Sequence, residues 1–109
     1  MIDAEWPLPW VRASLELAVL GCLLDAPLHG YGIAQQLEAR GFGRLKGGSL
    51  YPALGHLEGA GYVEATWEQG EVGPGRKNYS ITTTGKDFLA GGLAKWKTLT
   101  EALDISKEN

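Results

Sequence analysis

The sequence predicts a mostly helical chain with one small β-hairpin, and three observations lead there. Helical apolar spacing recurs in four segments, while residues 62–69 and 76–82 alternate on either side of a turn rich in glycine and proline. GGSLYPALGHLE, residues 47–58, sets leucines on one side and a proline and a glycine on the other. The chain is acidic overall, yet it gathers cations into two windows without acids. Helix, helix, helix, hairpin and long helix is the order of a winged helix-turn-helix with an added C-terminal helix. Residues 1–82 would hold an N-terminal arm and the DNA-binding domain, and 83–109 the C-terminal helix.

The first helix, 10–25, is apolar on nearly every face, through Val11, Leu15, Leu17, Val19, Leu20, Leu23 and Leu24. Such a helix needs cover on more than one side, part of it from a second subunit in so short a chain. Pro27 ends it. The second helix, 30–40, joins Tyr31, Ala34 and Leu37 in a stripe with Ile33, and leaves Gln35, Gln36, Glu38 and Arg40 polar. Gly41 suits the position just past its end, where a left-handed residue closes a helix.

In the third helix Ser49 is expected to cap the N-terminus. Pro52 then falls in the first turn, where its missing N–H has no intrahelical partner to lose. Leu50, Ala53, Leu54 and Leu57 form the core stripe, and Ser49, Pro52, Gly55, His56 and Gly59 face outward. That outward face is short, uncharged and nearly flat, and suits a major groove about 12 Å wide. Surface helices more often fill such positions with Glu, Lys and Gln. Free N–H groups from Gly48 to Tyr51 would meet a phosphate, aided by the helix dipole and by Lys46. Pro52 would touch a thymine methyl and His56 a base edge. Tyr51 flanks the face toward the backbone, and Tyr31 and Gln35 extend the contact set from the second helix.

In the hairpin, Val63, Ala65 and Trp67 alternate with Glu64, Thr66 and Glu68 as in a half-buried strand. Arg76 and Lys77 follow the GPG turn and would reach phosphates or the minor groove. Tyr79 shares a face with Lys77 and either joins that contact or packs inside. Thr82 or Thr84 caps the last helix, which runs to about Leu103. Its seam is Leu89, Leu93, Trp96 and Leu103, with Leu99 beside it and Thr100 at the missing position. Gly91 and Gly92 weaken the helix by about 1 kcal/mol each relative to alanine and allow a close neighbour.

The totals narrow the classes of function. A chain of 109 residues, 44% apolar and 21% charged, suits one globular domain with a modest core. Residues 39–57 and 72–86 each hold three cations and no acid, so the rest of the chain carries −9 against an overall −3. A polyanion is drawn to two spots and repelled elsewhere. Cys22 is the only cysteine; it fits a buried thiol, no intrachain disulfide and a cytoplasmic setting. The run 13–24 is too short to span a membrane and contains Glu16, and the acidic residues before it do not make a secretory signal. No metal spacing joins His29 and His56, and no nucleophile motif or phosphate loop occurs. The sequence therefore implies no cofactor and no enzyme. A winged helix used only for protein contacts is the rival reading, and it has no need of the two basic windows.

LHGYGIAQQLE, then GGSLYPALGHLEGAGYVE, then GPGRKNYSITTTG, in this order, resemble the PadR family of bacterial transcriptional regulators over about 15–105. The length resembles the shorter subfamily with a single C-terminal helix. The resemblance implies a homodimeric repressor of a near-palindromic double-stranded DNA operator, its last helix packing on the first helix of the other subunit. Trp10, Leu15, Leu89, Leu93, Trp96, Leu99 and Leu103 would form that interface. Family members that bind aromatic or multidrug ligands hold them there, often against a tryptophan of the last helix. Trp96 resembles that residue, or else simply packs the dimer. Gly55 departs from the family, which often places a basic or polar side chain there. Base contacts are then expected to be few, with more left to phosphates and DNA shape. The WPLPW segment, 6–10, is an added arm.

Overall fold

The computed structural model describes residues 4–45, 47–70, 73 and 75–107. Four helices accompany a three-stranded antiparallel sheet: α1 Leu8–Cys22, β1 Leu28–His29, α2 Gly30–Leu37, α3 Gly47–Gly59, β2 Val63–Glu68, β3 Arg76–Ile81 and α4 Thr83–Leu103. The winged helix-turn-helix order holds. Among the described residues, no helix is long and apolar enough to cross a membrane.

α1 starts two residues before its expected first turn. Pro7 caps it and Pro9 sits in its opening turn, where an absent N–H costs nothing. The arm is thus largely the beginning of α1. The helix stops at Cys22, three residues early, where its last turn tightens: the Leu23 and Leu24 N–H groups donate to the Leu20 and Gly21 carbonyls three residues back. α1 is the central core helix. Val19 and Leu20 are fully buried against Ile33 and Leu37 of α2, Leu54 and Leu57 of α3 and Val63 of β2.

α2 continues past Leu37 in a wider turn, Glu38–Phe42, and Gly41 ends it with φ 99°, as its sequence position suggests. Gly43 follows at φ 79°. Both glycines are packed on the N-terminal arm. A methyl group on Gly41 would meet the Glu5 side chain at 2.9 Å, and one on Gly43 the Ala4 backbone nitrogen at 2.8 Å. The Glu5 N–H donates to the Gly41 carbonyl at 2.8 Å, and Trp6 meets Phe42 edge-on at 5.3 Å.

α3 also starts earlier than expected. It runs from Gly47, so Ser49 is a residue of its first turn and not its cap. Pro52 accordingly lies in the second turn, and its ring offers no N–H to the Gly48 carbonyl one turn back. The small residues before Ser49 carry no apolar period, which hid this first half-turn in the sequence. At the other end Gly61, with φ 82°, reverses the chain, and the Tyr62 N–H returns to the Leu57 carbonyl at 2.9 Å.

The hairpin pairs Val63 with Ile81 through Glu68 with Arg76. β1 adds a third strand on the far side of β3, Leu28 opposite Tyr79 and His29 opposite Asn78. Two residues cannot show alternation, so β1 is invisible to sequence pattern. Val63 and Ala65 turn inward as expected, but Trp67 is exposed, because the hairpin runs out beyond the core at that point. Thr82 caps α4, accepting from the Gly85 N–H at 2.9 Å while its hydroxyl donates to the Gly61 carbonyl at 2.7 Å. One side chain thereby fastens the start of α4 to the end of α3.

Candidate nucleic-acid interface

The outward face of α3 is open. Gly48, Ser49, Pro52, Gly55, His56 and Gly59 are exposed, while Leu50, Ala53, Leu54 and Leu57 are buried. A methyl group on Gly48, Gly55 or Gly59 would meet nothing within 4 Å. The partition follows the 100° wheel, and the leucines hold this surface against α1 and α2.

Beside α3 lies a cleft of about 520 Å³ between the helix and the wing. Tyr31 and Tyr51 stand at its α2 and α3 walls, 73% and 55% exposed. Tyr51 lies so close over Gly30 that a methyl group there would meet its hydroxyl at 2.9 Å. That close approach explains a glycine at the first position of α2. Gln35 is exposed one turn beyond Tyr31 and lies outside the cleft. Lys46 lies outside the described residues.

The wing contributes Arg76 and Lys77 differently. Arg76 is exposed, opposite Glu68 in the sheet. Lys77 lies over the Trp67 ring, 5.7 Å from its centre, with its ammonium 3.5 Å from a Glu58 oxygen. It is a half-buried cation already shared with α3, not a free tip. Tyr79 is 5% exposed and packs in the core, while its ring also lines the cleft beside α3. Burial pushes its phenol above the ordinary value, opposed by the Lys77 charge.

The structure also brings acids to this surface. Glu16 of α1 holds His56 by its Nδ1 at 2.9 Å, Glu58 holds Lys77, and Glu68 meets His29 through Nε2 at 2.5 Å. An acid-free window of sequence is not an acid-free surface, because Glu16 is 40 residues from His56 along the chain.

A second surface lies along α1 and α4. Trp6, Trp10, Val11, Phe42, Trp96, Leu99 and Leu103 line an almost wholly apolar recess of about 770 Å³. Leu93 is 55% and Leu103 72% exposed. Leu15 and Leu89 do not share this exposure. They are 6% and 4% exposed, spent in the core of their own chain, since the first half of α4 already packs on α1. Gly92 permits that packing, for a methyl group there would strike Leu17 at 2.7 Å. Trp6 and Phe42 are members that helical spacing could not supply, since the arm and the wide turn bring them in. Cys22 is buried as expected, and desolvation raises its thiol above the ordinary value, against the pull of Arg40.

Comparison with known proteins places these features in a family. The model of the transcriptional regulator PadR-like family matches residues 19–91. A transcriptional regulator of Mycobacterium tuberculosis is 36% identical over 79 residues, 72% of this chain and 71% of that protein. A PadR-like transcription factor structure from Bacteroides fragilis superposes with a TM-score of 0.76 at 32% identity, covering 88% of this chain and 92% of that one. A PadR family regulator from Eggerthella lenta reaches a TM-score of 0.83 at 28% identity, over 94% and 89%.

Proposed function

Because this chain belongs to the PadR-like family of transcriptional regulators, we propose that it acts as a homodimeric repressor in the cytoplasm, binding a near-palindromic operator. The exposed face of α3 carries this reading: three glycines with open space above them, beside two exposed tyrosines and the wing. Each protomer sets α3 in a major groove, with half-site centres about 10 bp or a multiple apart. Tyr51, Tyr31 and Arg76 meet the backbone, and His56 and Pro52 meet base edges. Residues 1–82 serve as the reading head and 83–109 as the arm that joins two heads.

The dimer reading is supported by shape and by apolar surface. The radius of gyration is 15.6 Å, against about 13 Å for a compact chain of similar length. The excess comes with exposed Leu93, Leu99 and Leu103 on α4 and exposed Leu8 and Trp10 on α1, and burial there is worth about 25 cal/mol per Å². An aromatic or similarly apolar effector would sit at the tryptophan-lined recess. It would act only through differing affinity for two arrangements of the heads.

Selection of bound sites from random duplexes, followed by salt titration of the best site, tests the reading. Two-fold symmetric sites and steep weakening with salt are expected. Arg76→Ala should lower affinity for every sequence and reduce the salt slope by about one per wing. Indifference to duplex DNA would leave the winged helix as a protein-contact module.

A further inference from the structure

Resting on that DNA-reading role, we infer that Glu16 is a positioning residue that fixes the tautomer of His56, and so decides which base edge α3 can read. Glu16 Oε2 lies 2.9 Å from His56 Nδ1. A carboxylate only accepts, so Nδ1 must carry the hydrogen in that contact. In the neutral ring Nε2 is then a bare acceptor. His56 sits on the outward face of α3 with its side chain 69% exposed, so that acceptor is offered to the groove.

The consequence is a rule for one position in each half-site. In the major groove only adenine N6 and cytosine N4 donate, whereas guanine and thymine offer acceptors. A ring held with its hydrogen toward Glu16 favours adenine or cytosine on the strand it faces. It rejects guanine and thymine there, since two acceptors meet. Without Glu16 the ring takes either tautomer and the discrimination fades. The face is otherwise nearly bare, with Gly55 beside His56, so this one ring carries a large share of the direct readout.

His29 supplies an internal contrast. It meets Glu68 through Nε2, not Nδ1. The two histidines of the chain are therefore assigned opposite neutral tautomers by their carboxylate partners.

Two measurements test the inference. Nitrogen-15 NMR of the free protein, at a pH where both rings are neutral, should give an Nδ1–H ring for His56 and an Nε2–H ring for His29. Glu16→Ala should leave the spectrum folded and the His29 signals in place while His56 becomes a tautomer mixture. Site selection should show one position per half-site favouring adenine or cytosine by roughly three- to tenfold, the yield of a single hydrogen bond. His56→Ala and Glu16→Ala should each flatten that position, and the double variant should add nothing. The inference is overturned if His56 is the Nε2–H tautomer, if guanine or thymine is favoured there, or if Glu16→Ala keeps the wild-type preference. A chain that binds no duplex overturns the DNA-reading role along with it, whereas binding with an unchanged preference overturns the tautomer rule alone.

Discussion

At the scale of single residues, glycines separate stability from recognition. Gly30→Ala puts a methyl group against the far end of Tyr51, a side chain that can swing away. The fold should survive with a change under about 1 kcal/mol, while gel-shift affinity falls because Tyr51 leaves its place over the cleft. Gly85→Ala is the opposite case. Its methyl group would lie 2.1 Å from the Tyr62 carbonyl oxygen, which is backbone. Denaturant unfolding should show a loss of about 3 kcal/mol or more, as expected of forced overpacking. Titration gives a second residue-scale expectation. Burial raises Cys22 from 9.0 and Tyr79 from 10.0, so the unfolded chain releases these protons first. Their contribution is full below about pH 9 and is lost as pH rises through the folded values, so Tm should hold to that point and then fall. Sequence placed the outward residues of α3 correctly because the leucine period fixes a helix face. It could not place Tyr79 or pair Glu16 with His56, since those depend on how separate elements meet.

Elements were legible where a period or a cap was long enough to register. The hairpin announced itself by alternation and GPG, and Thr82 stood where a cap belonged. β1 is two residues long, and α3 opens with Gly47 and Gly48, so neither start carried a readable period. Thr82 bears more than its cap, because its hydroxyl also donates one hydrogen bond to the Gly61 carbonyl in the turn after α3. Thr82→Ala should cost about 1–2 kcal/mol, measured by thermal melting. Gly92→Leu should do something different, driving the middle of α4 off Leu17 and α1. Its effect belongs to the angle of the arm, and small-angle scattering should register a changed envelope with secondary structure retained.

For the whole molecule, the extents of 63 × 35 × 21 Å describe an elongated shape, with the first half of α4 packed on α1 and its second half largely exposed. The sequence foresaw surplus apolar surface on α1 and α4, but it spread that surface too widely. Leu15 and Leu89 were absorbed by the chain's own core, and the exposed remainder moved toward Trp10, Leu99 and Leu103. Charges on that remainder should split the proposed dimer: Leu99→Lys with Leu103→Lys is expected to halve the sedimenting mass and leave the circular dichroism of the head unchanged. The leading residues have a reach their position would not suggest. Ala4 and Glu5 lean on Gly41 and Gly43, and Trp6 braces Phe42, in the bend that delivers α3. Residues 4–6 are therefore a splint on the joint ahead of α3. Loosening their hold would alter the tilt of that helix without touching a single residue on its surface.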